Sequence, residues 1–171
     1  MSTCRLIIGL GNPGDEYAKT RHNAGFWLMD KLSQTFQETF TTEPKFFGTT
    51  CKIRFAETSV YLLKPMTFMN RAGLSANAIT KFYKIKPQEI IVVHDEIDID
   101  PGQIRLKKGG GHGGHNGLRD LHRVIGPDYG RIRVGIGHPG HKSRVQRHVL
   151  SKAMVRDQIK IDNAIADLLQ H

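Results

Sequence analysis

Two hydrophobic periodicities alternate along the chain. Leu6-Ile7-Ile8 is a short continuous apolar run closed by glycine, the pattern of a buried strand ending in a turn. Ala24, Leu28, Met29, Leu32 and Phe36 then recur at helical spacing, with Thr20 or Asn23 as the expected cap. Lys52 to Ala56 and Ser59 to Lys64 each alternate about a short polar stretch, which predicts a hairpin. Leu74, Ala78 and Phe82 mark a second helix that stops before Pro87. Strands are predicted at Ile90 to Val93, at Gln103 to Lys107 after the Pro101-Gly102 turn, and at Arg131 to Ile136. Leu118 to Ile125 reads as a short helix and Val155 to Leu169 as a final amphipathic one. Strands interleaved with helices predict an α/β fold, and the hairpin makes its central sheet mixed, flanked by helices. There is no internal repeat, so residues 1–171 are expected to form one domain.

Composition leaves that picture unchanged except in charge. The net charge is +9, and Gly102 to Lys160 holds 13 Lys and Arg against 3 acids. A basic half joined to a near-neutral one points to an anionic partner on one face, nucleic acid first, with a generally basic surface as the alternative. Cys4 and Cys51 lie far apart in sequence and form no CxxC pair, so no disulfide framework is indicated. Leu6 to Leu10 is too short an apolar run for a signal-peptide core or a membrane span, and the cytoplasm is the expected location.

Between Gly109 and Gly117 six of nine residues are glycine, bracketed by Lys107, Lys108 and Arg119. Glycine gives backbone freedom and close approach at an entropic cost that a core has no use for. The alternative is a flexible linker, but apolar residues resume at once at Leu118 and Leu121. Gly9-Leu-Gly11-Asn-Pro-Gly14 matches a dinucleotide fingerprint after a strand. Pro13 lacks the N–H such a turn would offer, and no acid closes a second strand about twenty residues on.

Polar clusters follow the apolar elements: Asn12, Thr20-Arg21-His22-Asn23, Phe68-Met69-Asn70, His94-Asp95-Glu96 and Asn116. Ligands of α/β sheets bind beyond the carboxyl ends of strands, where Asn12 and Asp95 could converge. A histidine with a carboxylate is the smallest unit that activates water, and asparagines supply neutral donors to an oxyanion. Each piece has a structural alternative, a turn or a helix cap. His94, His112 and His115 raise the question of zinc, but they share no helix and have no cysteine beside them, so no metal is expected. No GxSxG elbow or cysteine motif supports a covalent nucleophile.

Together these segments resemble the bacterial-type peptidyl-tRNA hydrolase family. The resemblance is carried in order by Gly9-Leu-Gly-Asn-Pro-Gly14 with Tyr17, by Thr20-Arg-His-Asn-Ala-Gly25, and by Lys64-Pro-Met-Thr-Phe-Met-Asn70. It continues through His94-Asp-Glu-Ile-Asp98, Gly109 to Asp120, and Arg131-Ile-Arg-Val-Gly-Ile-Gly137 with Pro139-Gly140. It implies a monomer without metal or organic cofactor that hydrolyses the ester joining a peptide to the terminal ribose of tRNA. His22 would then be the general base and Asp95 its orienting partner. Asn12, Tyr17, Asn70 and Asn116 would position substrate, Asn70 near the oxyanion, with Met69 on the peptide-side wall. Lys107 and Arg133 would clamp a tRNA phosphate, and residues 108–117 would form a mobile substrate gate. The partner implied is peptidyl-tRNA, with no membrane. Arg71-Ala72 departs from the usual serine-containing segment, and the chain stops at His171, shorter than the family leads one to expect. A relative that binds RNA without catalysis is the alternative.

Overall fold

A computed structural model describes residues 3–170. Its strands are β1 (Leu6–Gly9), β2 (Thr41–Glu43), β3 (Gly48–Phe55), β4 (Thr58–Pro65), β5 (Ile90–Glu96), β6 (Ile104–Lys108) and β7 (Gly130–Gly135). Its helices are α1 (Ala24–Thr35), α2 (Ala72–Tyr83), α3 (Asn116–Ile125), α4 (Val145–Val149) and α5 (Val155–Leu168). The strands form one mixed sheet in the order β2-β3-β4-β1-β5-β7-β6. Its central strands β4, β1, β5 and β7 run parallel, while β2-β3-β4 and β7-β6 pair antiparallel at the two sides.

This arrangement explains the sequence pattern. Strands β1 and β5 are paired on both edges and covered on both faces, so they read as apolar runs rather than alternations. One face buries Leu6, Ile8, Ile90 and Val92 against Ala76 and Ile79 of α2 and Leu118 and Leu121 of α3. The other buries Leu62, Val93 and Val134 against Leu28 and Met29 of α1 and Ile161 and Ile165 of α5. The predicted hairpin is β3-β4, longer than expected, turning at Ala56-Glu57 with Ala56 in the left-handed region. Two elements were too short to establish a period and went unpredicted. They are β2, which reads Thr-Thr-Glu, and the single-turn α4.

The start of α1 is what places chemistry at the sheet. A Cβ on Gly25 would lie 2.5 Å from the carbonyl oxygens of both Leu10 and Val93, so only glycine allows the helix to seat there. The turn Arg21–Asn23 just before α1 is thereby brought against the carboxyl ends of β1 and β5. The dinucleotide-like glycines serve the same contact: Gly9 faces Met29 and Gly11 faces the Phe26 ring, both on α1. The intervening loop runs to residue 20 before any helical turn begins, which removes the strand-turn-helix geometry a pyrophosphate site needs.

Candidate functional site

Asp95, near the end of β5, is buried and accepts hydrogen bonds from two imidazoles. His22 Nδ1 lies 3.0 and 2.9 Å from its two carboxylate oxygens, and His115 Nε2 lies 2.8 Å from Oδ1. The tautomer of His115 follows from its other nitrogen. Nδ1 accepts from the backbone N–H groups of Gly117 (3.1 Å) and Leu118 (3.2 Å), capping α3, so the ring proton sits on Nε2 and points at Asp95. Burial alone would raise the Asp95 pKa, but the facing His22 and His115 hold it well below the usual carboxylate range. Asp95 is therefore an anion that accepts the Nδ1 proton of His22 and leaves Nε2 on the cleft side. Burial depresses the His22 pKa, yet the charge and hydrogen bond of Asp95 outweigh it, and the net shift is upward.

A cleft of about 420 Å³ opens over this trio, lined by His22, Asp95, His115, Asn116, His138 and Lys142 among others. Its far wall is α4, which the sequence did not reveal. Asn116 is exposed at the start of α3, and its Oδ1 accepts from Arg119 (3.2 Å), which leaves its amide N–H groups free to donate. His94, adjacent to Asp95 in sequence, has another environment. It is buried with Nδ1 on the Asp95 carbonyl at 2.8 Å, and burial together with His115 pushes its pKa down to about 3.

The remaining predicted residues do not line this cleft. Asn12 accepts from the Met69 N–H (2.7 Å) through Oδ1, so its Nδ2 is the end free to donate. Asn23 is no cap. Its side chain grips the Asn12 backbone on both sides, accepting from Asn12 N and donating to Asn12 O, each at 2.9 Å. Thr20 does not cap either, and its hydroxyl donates to the Tyr17 carbonyl. Met69 is buried, while Tyr17 meets the exposed Phe68 edge-to-face at 6.1 Å. Asn70 is exposed in a separate recess with Arg71, Asn77, Asp120 and Arg123. Lys107 and Arg133 lie on neighbouring strands at the far edge of the sheet. The register places Lys107 opposite Arg131 and Arg105 opposite Arg133. Residues directly opposite share a face, so four cations stand together there.

His115 was the residue the sequence undervalued, having been weighed only as a metal ligand with His94 and His112. The fold assembles a different trio, with ligand atoms of His22, Asp95 and His115 all within 4.8 Å of one another. Two imidazoles and a carboxylate are a set that zinc accepts. Here they are joined directly by hydrogen bonds, which a metal would have to displace. The adjacency of His115 to Asn116 inside the glycine run was the available signal.

Fold and site together describe an α/β protein with a proton-transfer pair set in a polar cleft at the ends of parallel strands. The family model for peptidyl-tRNA hydrolase matches residues 6–171. A peptidyl-tRNA hydrolase of Acinetobacter baumannii is 54% identical over 165 residues, covering 96% of this chain and 86% of its own. One from Neisseria meningitidis is 51% identical over 170 residues, covering 99% and 88%. The crystal structure of peptidyl-tRNA hydrolase from Acinetobacter baumannii superposes with a TM-score of 0.96 at 53% identity, over 99% of this chain and 87% of that one. The chain belongs to the peptidyl-tRNA hydrolase family, enzymes that hydrolyse an ester bond.

Proposed function

We propose that the chain hydrolyses the ester between a peptide, or an N-blocked aminoacyl group, and the terminal ribose of tRNA, returning tRNA for reuse. The observation that carries the mechanism is the buried Asp95 holding His22 by Nδ1, with the opposite nitrogen turned to the cleft. His22 Nε2 takes a proton from water as the water oxygen attacks the ester carbonyl carbon. The tetrahedral oxyanion collapses, the C–O bond to ribose breaks, and the ribose oxygen takes the proton back from His22. Asn12 and Asn116 each spend their carbonyl oxygen on a protein donor, which leaves amide N–H groups for substrate and oxyanion. Asn70 follows Met69, whose backbone Asn12 fixes, and we assign it a donor role near the oxyanion. Met69 lines the peptide side, and Tyr17 binds substrate.

Arg105, Lys107, Arg131 and Arg133 support the reading of an anion site on the edge strands. Like charges directly opposite destabilise a sheet, and among the described residues none of the four has an acidic partner. An external phosphate would relieve that cost, with Lys107 and Arg133 as its ligands. Residues 108–117 act as the substrate gate, and residues 1–171 as one catalytic domain. The family resemblance further implies a monomer that uses neither metal nor organic cofactor. The substrate arises where translation occurs, which favours the cytoplasm; among the described residues no helix is long and apolar enough to cross a membrane.

The test is release of uncharged tRNA from N-blocked and from free aminoacyl-tRNA. The wild type should cleave the blocked form preferentially, and His22→Ala should lose roughly 10²–10⁴ of that activity, the usual contribution of a positioned base. Activity within a few-fold of wild type would remove His22 from the mechanism.

A further inference from the structure

Arg131 on β7 is buried, with 3% of its surface exposed, and among the described residues it has no carboxylate partner. Its charge is met by backbone instead. Nη1 donates to the Gly111 carbonyl (2.5 Å), and Nη2 donates to Gly110 (2.7 Å) and Pro127 (3.3 Å). Nη2 also lies 3.2 Å from His122 Nε2, and the guanidinium sits 4.7 Å over the Tyr129 ring. Two of these acceptors belong to the first half of the glycine segment. The second half is held separately, by His115 on Asp95 and on the start of α3. Between the two anchors, Gly113 and Gly114 have positive φ, and a Cβ added at either would meet nothing within 4 Å.

We propose that Arg131 is a positioning residue for the hydrolysis. It holds the glycine segment at Gly110-Gly111, so that the same segment delivers His115 to Asp95 and Asn116 to the cleft. This rests on the reading of residues 108–117 as the substrate gate. The physical basis is the planar fork of arginine, which reaches two successive carbonyls from one buried position. The flexible ammonium of lysine is a point charge and matches that pair less well. Buried charge without an acid is costly unless hydrogen bonds satisfy it, so arginine and loop stabilise each other only while the loop is in place. Lys107, opposite Arg131, also lies against the segment, since a Cβ on Gly110 would come within 2.8 Å of its Nζ.

Arg131 is thereby distinguished from its cationic neighbours. Lys107 and Arg133 should matter only to substrates that carry tRNA phosphates. Arg131 should matter to any ester the cleft hydrolyses. The experiment compares Arg131→Lys and Arg131→Gln with wild type in two measurements. The first is amide hydrogen exchange at Gly109 to His115 against the amides of β1 and β5. The second is kcat and KM on N-blocked aminoacyl-tRNA and on a small N-blocked aminoacyl ester of a nucleoside.

Loss of charge-assisted bonds should speed exchange in the segment by roughly ten- to a hundredfold, least for Lys, while β1 and β5 stay protected. The kcat on both substrates should fall by about tenfold or more, as for groups held out of reacting geometry, with the salt dependence of tRNA binding unchanged. If Arg131→Gln fails to fold, Arg131→Lys alone decides between these outcomes. Unchanged exchange in the segment would overturn the anchor and leave the gate reading standing. Faster exchange with normal kcat on both substrates would overturn the proposal together with the gate reading. Loss confined to the tRNA substrate, with a weaker salt dependence, would make Arg131 a phosphate ligand and overturn the positioning role.

Discussion

Asp95→Asn isolates the chemistry of the site, because the side chain keeps its size while only one of its two ends can still accept. The carboxylate accepts from both His22 and His115. An asparagine keeps an oxygen at only one of the two carboxylate positions, so one of the two atoms that meet His22 Nδ1 becomes an NH2 group. The choice between them is set by His115, whose Nδ1 already accepts from two backbone N–H groups and whose proton must stay on Nε2. The asparagine oxygen therefore turns to His115, and its NH2 faces His22 Nδ1. An NH2 group 2.9 Å from Nδ1 favours an accepting Nδ1, which puts the His22 proton on Nε2, the nitrogen required as base. Restoring the active tautomer opposes N–H to N–H and forfeits hydrogen bonds to a charged group, each worth about 1.5–3 kcal/mol. One such bond, together with about 1–3 kcal/mol for the buried donor left unpaired, corresponds to roughly 10²–10⁴ in rate at 1.36 kcal/mol per decade, so we expect a loss of about 10³ in kcat. The structure also predicts a rescue. With His115→Ala added, the carboxamide is free to turn its oxygen to His22, and the double variant should exceed Asp95→Asn alone. The assay is single-turnover release of tRNA from N-blocked aminoacyl-tRNA for the four proteins of the cycle. Losses that simply multiply, or an Asp95→Asn enzyme within a few-fold of wild type, would refute the tautomer argument.

The acid limb of the rate profile should lie above the ordinary imidazole value near 6.5, since His22 is shifted upward and must be neutral to act; a limb below 6 would contradict the ion pair. His94 carries the opposite sign. Its folded pKa is depressed to about 3, so the stability tied to its neutral form is present above about pH 6.5 and lost as pH falls toward 3, by up to about 1.4 kcal/mol per unit. Urea unfolding of His94→Gln should fall less steeply than wild type between pH 6.5 and 4.5, and parallel curves would refute the assignment. Lys107→Ala and Arg133→Ala should each weaken tRNA substrates while sparing the small ester, with the salt slope of binding reduced by roughly 0.7–0.9 per lost phosphate contact. Chelator should leave kcat unchanged, and reversible loss that zinc restores would give the His22, Asp95 and His115 set to a metal.

Much of this protein is legible in its sequence. The apolar runs at Leu6 and Ile90 and the helical stripe from Ala24 already imply an α/β sheet, because burial on two faces or on one stripe leaves a period in the residues themselves. The ordered set of polar segments carries the family resemblance, since the types of group a reaction needs are a property of the residues. What period and type do not encode is proximity between residues far apart in the chain. Only the folded chain brings His115 to Asp95 across 20 residues, turns Asn23 from a supposed cap into a clamp on Asn12, and sets Arg131 under the carbonyls of Gly110 and Gly111. The same limit hid β2 and α4, which are too short to establish a period. Local patterns report which surface a segment buries. Which donor meets which acceptor is decided by the packing of α1 onto the ends of β1 and β5, where the absence of a single Cβ at Gly25 sets the distance.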